Sequence, residues 1–125
     1  NGGILESTIT MMCDNGAALS SIEAVIGPAI AKSSYQVGDD CRNAVTNAHR
    51  DASQFFTPDA SAAEKHLFDL PAFTAWKISR IGPTRITDLA IDTYDSANNL
   101  FSHRRATHTQ LPDTGRQIAV IGLTL

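Results

Sequence analysis

Two Gly-Pro dipeptides constrain this chain more than any other feature. Gly27-Pro28 closes a short apolar run, Ile22 to Ile26, and Gly82-Pro83 closes a longer run with helical spacing. Proline cannot continue either element, and it biases the residue before it away from helical backbone, so each pair is a stop. The first run, only five residues long, is a strand. The second, with Leu70, Phe73, Lys77 and Ile81 on one side and Trp76 beside them, is a helix. The fold must therefore mix the two classes.

The rest of the chain follows the same alternation. Ile4, Leu5, Thr8, Ile9 and Met12 mark one helical face, stopped by Asn15-Gly16, which tolerate left-handed cap geometry. Residues 29–37 form an irregular connection. Gly38-Asp39-Asp40 opens a helix whose positive end suits the aspartates, with Cys41, Ala44, Val45 and Ala48 facing inward. Asn47 to Pro58 is polar and turn-rich apart from a brief strand at Phe55-Phe56, and residues 59–65 form a surface loop. His66-Leu67-Phe68 is a strand. Asp69 then caps the next helix, with Leu70-Pro71 as its first turn. Arg85 to Thr93 and Arg116 to Leu125 are strands, joined by a hairpin-like loop. The last is apolar on both faces, which places it centrally in a sheet. The order is one α/β or α+β unit without repeat or linker.

Composition narrows the function classes. A chain of 125 residues is one domain or a large part of one, and a net charge of −3 argues against general nucleic-acid binding. The charge is uneven: residues 1–62 hold seven acids and three bases, residues 63–125 six acids and seven bases. The cysteines, Cys13 and Cys41, form neither a disulfide framework nor a CxxC pair and are expected as inert core thiols. No signal peptide or span of 18 apolar residues is present, so a cytoplasmic location without membrane contact is the expectation. The chain opens Asn-Gly-Gly-Ile-Leu-Glu, already in helical register and without Met, which suggests an upstream region.

The chemistry-bearing residues gather near the end. Tyr94, Ser102, His103, Arg104, Arg105 and Arg116 surround one expected turn, a grouping suited to an anion. The planar guanidinium binds phosphate or carboxylate with two parallel hydrogen bonds. On an extended segment neighbouring side chains point to opposite faces, so Ser102 and Arg104 share one and His103 and Arg105 the other. One arginine of the pair then serves a ligand and the other a structural ion pair with Asp88, Asp92 or Asp95; alternatively all three arginines are ion-pair partners. Gly27-Pro28 is either a place where backbone approaches a ligand or an ordinary turn. Tyr35 and Tyr94 are candidates to stack on a base or donate a hydroxyl, or else core tyrosines. His103 beside two arginines has its cationic form disfavoured, which suits an acceptor or base; a loop histidine can equally be merely exposed. His49, His66 and His108 lack ligand spacing. GxSxG, P-loop and Rossmann patterns and an EF-hand are missing.

Five segments stand in a familiar order: Gly2-Gly3-Ile4-Leu5-Glu6-Ser7-Thr8, Gly27-Pro28-Ala29-Ile30, Tyr35-Gln36-Val37-Gly38, Phe101-Ser102-His103-Arg104-Arg105 and Thr114-Gly115-Arg116. Together they resemble the laccase-domain family, also called YfiH-type or multicopper polyphenol oxidase-like, over nearly the whole chain. The resemblance implies an α+β fold of mixed β-sheets flanked by helices. It makes residues 1–125 the C-terminal portion of a single such domain. It implies purine nucleoside phosphorylase activity with adenosine deaminase activity in the complete protein, acting on a purine nucleoside and phosphate. It also implies zinc or copper, held by two histidines and a cysteine upstream of the Gly2-Gly3 helix, so that this chain holds no metal ligand. Three positions depart from the family pattern: Asp92 for a frequent cysteine, Gln36 for a frequent glutamate, and Ala31 for a glycine.

On these terms Arg104, Arg105, Arg116, Ser102, Tyr94, Gly27 and Pro28 are the candidate ligand contacts. A non-catalytic binding or structural module, completed by the N-terminal half or by a second copy, is the alternative. Phenol oxidation ranks lower, because several copper ions need more histidines than four scattered ones.

Overall fold

The computed structural model describes residues 3–122. Its elements are α1 (Ile4–Asp14), β1 (Glu23–Ile26), β2 (Gln36–Gly38), α2 (Asp39–Ala48), β3 (Phe56–Pro58), β4 (Lys65–Phe68), α3 (Leu70–Ile81), β5 (Arg85–Asp88) and α4 (His103–His108). The fold is α+β, with one parallel and one antiparallel sheet flanked by helices.

The antiparallel sheet has the order β2-β4-β3, with Gly38 opposite Lys65 and Phe56 opposite Phe68. Under it lies the core: Val37, Ala52, Phe56, Phe68 and Phe73, with Tyr35, Cys41, Val45, Phe55, Leu70 and Trp76 packed against it. Phe68 is central. Its ring stacks on Phe56 at 4.3 Å and lies 5.6 Å from Phe73 and 5.7 Å from Tyr35. Such pairs add roughly 0.5–1.5 kcal/mol each beyond area burial.

The parallel pair β1–β5 aligns Glu23 with Arg85 and Ile26 with Asp88. Helix α3 packs on it and on α1, and so ties the two sheets together. Asp69 caps α3 by accepting from the Ala72 N–H at 3.1 Å. Gly82 ends it at φ 137°, a left-handed backbone that favours glycine. Lys77 of α3 meets Glu6 of α1 at 3.0 Å.

Several sequence expectations are corrected. Strand β5 ends at Asp88 rather than Thr93, because Asp88 and Asp92 accept from the N–H groups of Ala90 and Tyr94, two residues on, and these local turns displace the ladder. Pairing resumes for one bridge only, Ala29 with Asp92. The connection 29–37 is less irregular than expected: a 3-10 turn at Lys32–Ser34 leads into β2. Phe55 closes a 3-10 helix, Arg50–Phe55, and only Phe56 enters a strand. The segment Ser102–Arg105, expected extended, enters α4, and the hairpin-like loop is instead a 3-10 turn followed by that helix. Residues 116–122 carry no strand, having no neighbouring strand among the described residues; Leu123 to Leu125 lie outside them. The buried face of α1 is rotated: Ile9 is buried and Leu5 and Cys13 half-buried, while Ile4 and Met12 are exposed. On α2 only Cys41 and Val45 turn inward; Ala44 and Ala48 are exposed.

Candidate functional site

A cationic cleft of about 410 Å³ opens where β2 runs into α2, lined by Tyr35, Gln36, Val37, Gly38, Asp40, Cys41, Lys65 and Arg104. That volume suits a small molecule. The ladder sets Lys65 opposite Gly38, and α4 brings Arg104 in from 66 to 68 residues downstream of β2. Arg104 donates through Nη1 to the Gln36 carbonyl at 2.7 Å, and its guanidinium carbon lies 5.3 Å from the Tyr35 ring centroid. Tyr35 therefore presents a ring face to Arg104. Gly38 keeps the floor open: a Cβ there would stand 2.7 Å from Asp40 Oδ1 and 3.7 Å from Lys65 Nζ.

Two cations face one carboxylate in this cleft. Burial pushes the Cys41 thiol up, as does the charge of Asp40, against a smaller downward pull from Arg104. The thiol stays protonated at neutral pH, so it is no ready nucleophile. Sequence reasoning missed Lys65, Gly38 and Asp40 as cleft residues. The cross-strand register that joins Lys65 to Gly38 is set by pairing, and the short run Gln36–Gly38 gave too little alternation to reveal it.

The other expected contacts lie elsewhere. Arg105 donates through Nη1 to the Thr93 and Tyr94 carbonyls, both at 2.8 Å, and through Nη2 to the Leu100 carbonyl. It thus fastens the 93–100 loop to α4. Ser102 is buried and caps α4, its Oγ accepting from the Arg105 N–H at 3.2 Å. The Tyr94 hydroxyl lies 2.9 Å from His108 Nδ1. Near these groups Asp92 accepts from Ser34 Oγ at 2.6 Å, the Ala31 N–H at 3.0 Å and the Tyr94 N–H at 2.8 Å. Burial pushes its carboxyl up, but these bonds and the charge of Arg105 outweigh that and hold it below the usual aspartate range.

Arg116 belongs to a second cleft, also about 410 Å³, with Phe101, His103, Thr114, Gly115 and Gln117. Its guanidinium is exposed, donates to the Thr114 and Gly115 carbonyls, and stands 4.0 Å from Asp113. Helix α4 thus gives Arg104 to one cleft and His103 to the other. Gly27-Pro28 turn the chain out of β1 so that Ala29 rejoins the neighbouring segment, its N–H donating to the Ile91 carbonyl at 3.1 Å.

Among the described residues no three His, Cys, Asp or Glu side chains gather as a metal ion requires. His66 pairs with Asp39 at 2.7 Å, and His49 sits edge-on to Phe73 and Trp76. The resemblance places the zinc or copper ligands upstream of this chain. No described helix is long and apolar enough to cross a membrane.

Residues 1–124 match the family model described as multi-copper polyphenol oxidoreductase laccase. The chain is 39% identical over 110 residues to the purine nucleoside phosphorylase RC0672 of Rickettsia conorii, covering 87% of this chain and 44% of that protein. Against the purine nucleoside phosphorylase RP494 of Rickettsia prowazekii identity is 35% over 119 residues, covering 94% and 48%. The crystal structure of protein NMB0706 from Neisseria meningitidis superposes with a TM-score of 0.72 at 28% identity, covering 83% of this chain and 41% of that one. The chain thus spans less than half the length of each.

Proposed function

Because this chain belongs to the multi-copper polyphenol oxidoreductase laccase family, we propose that it is the C-terminal lobe of a purine nucleoside phosphorylase and that the Arg104 cleft holds the phosphate. The observation that carries this reading is that Arg104 and Lys65 line one cleft together with Gly38. One guanidinium nitrogen is taken by the Gln36 carbonyl, which fixes the fork and leaves other donors for an anion.

In phosphorolysis a phosphate oxygen forms a bond to the anomeric carbon of the ribose while the bond to the purine nitrogen breaks, and the base leaves with a proton. The chain's part is to bind and orient the nucleophile. Arg104, held by the Gln36 carbonyl and the Tyr35 ring, keeps the anion in place where its charge is partly transferred, and Lys65 adds a second positive charge at the same cleft. The protonated Cys41 thiol is at most a weak donor beside it. Arg105 and Ser102 support the site through the fold, since their polar atoms serve the main chain. Arg116 and His103, in the second cleft, are offered as a lesser anion contact. Tyr94, Gly27 and Pro28 shape the backbone nearby. By the family likeness, zinc or copper in the complete protein would be held by two histidines and a cysteine upstream of this chain. Deamination of adenosine is the companion activity implied for the complete protein, in a cytoplasmic setting.

The test is phosphate-dependent cleavage of inosine by the protein that contains this chain in full. Arg104→Ala should raise KM for phosphate at least tenfold, and Arg116→Ala no more than about threefold, by the size of a charge-assisted hydrogen bond. Unchanged kinetics in both variants would remove the anion-holding role and favour a binding module.

A further inference from the structure

The parallel pair β1–β5 is finished on one face only. Ile26 is buried and Ala24 and Ile86 half-buried on the side that α3 covers. The alternate residues face the other way: Val25 is 46% exposed, with Thr87 beside it in register. Beyond β5 the chain exposes Leu89 and Ile91 as well. Parallel strands occur almost always with both faces covered, and two strands alone are marginal in water.

A second observation falls on the same region. Ile118, Val120 and Ile121 are 88%, 85% and 73% exposed. Among the described residues, no main-chain hydrogen bond involves residues 118–121. The segment is not remote from the sheet, since a Cβ placed on Gly27 would lie 3.8 Å from that of Ala119. An exposed apolar run beside an open sheet, without main-chain partners among the described residues, is a surface on which a further strand can pair.

The chain accounts for 44% and 48% of the two phosphorylases it matches, so more than half of each is polypeptide of another sequence. We propose that the open β1–β5 face and residues 117–122 form the seat of that remaining lobe, which adds a strand beside Ile118–Ile121 and covers Val25. This rests on reading the chain as one lobe, but not on the phosphate role of Arg104. Failure of the kinetic test leaves it standing, and its own failure leaves the Arg104 cleft intact.

The experiment co-expresses the full 125-residue chain with the portion of the Rickettsia conorii relative that it does not match, as a separate tagged polypeptide. The expected result is a one-to-one complex by mass. Hydrogen exchange should slow at least tenfold in residues 23–27 and 117–122 relative to the chain alone. Val120→Asp and Val25→Asp should each cut recovery of the complex at least tenfold, whereas Ile4→Asp, on the exposed side of α1, should leave it unchanged. Recovery of no soluble complex, protection confined to other surfaces, or a homodimer that buries Val25 and Val120 would overturn the proposal. Hydrogen exchange on the unsubstituted chain keeps the test decisive if an aspartate variant misfolds.

Discussion

Arg104 lies over the Tyr35 ring, 5.3 Å from guanidinium carbon to centroid, while donating to the carbonyl of the next residue, Gln36. One side chain is thereby fixed by two neighbours on a different element. That is the arrangement a fixed anion holder needs, because an arginine already oriented loses less freedom when it binds.

Arg104→Lys retains the charge but loses the planar fork and its seat on Tyr35. We expect KM for phosphate to rise about 5–50-fold with kcat nearly unchanged, the size of one or two charge-assisted hydrogen bonds. Steady-state inosine phosphorolysis with phosphate varied measures it. A lysine variant as good as wild type would mean that charge alone suffices.

Phe68→Ala should destabilise the chain by about 3–5 kcal/mol, the usual loss for a buried phenylalanine. Phe68 touches Phe56, Phe73 and Tyr35, so the cavity would lie directly beneath the Arg104 cleft. Urea unfolding followed by Trp76 fluorescence checks it. Phe101→Ala, at an exposed ring, is the control and should change stability by less than about 1 kcal/mol.

Gly82→Ala should also destabilise, by about 1–3 kcal/mol, because φ 137° is a backbone that L residues rarely adopt. The melting temperature reads the loss. Gly122→Ala, with nothing near its added Cβ and an ordinary backbone, should be neutral.

Asp92 sets an acid-side dependence. Its carboxyl titrates below the ordinary 3.8, since hydrogen bonds from Ser34, Ala31 and Tyr94 and the charge of Arg105 exceed the upward push of burial. A depressed folded-state value contributes stability above the unfolded value and loses it as pH falls through the folded one. Urea midpoints should therefore be level from pH 7 to about 5 and fall below about pH 4. Asp92→Asn should lower the midpoint at pH 7 and flatten the fall. An unchanged acid limb in that variant would refute the assignment.

How much of this was legible in the chain depended on range. Asp69-Leu70-Pro71 and Gly82-Pro83 announce both ends of α3, because capping and proline geometry act within one turn. Ser102 announced nothing, since α4 has six residues, too few to show a period, and its cap gives no more than an isolated serine would. Asp88 and Asp92 hid the early end of β5 behind an apolar run whose local hydrogen bonds won over the ladder.

By itself the sequence determined the class of fold, the order of most elements and the family likeness, all of which rest on contacts between residues a few positions apart or on ordered motifs. Only the tertiary structure decided that Arg104 lines one cleft with Lys65 and Gly38, that Arg105 turns to carbonyls, and that Arg116 faces another cleft. Those partners are separated by tens of residues, and a guanidinium takes whichever acceptors the packed backbone brings within reach, which no local pattern encodes.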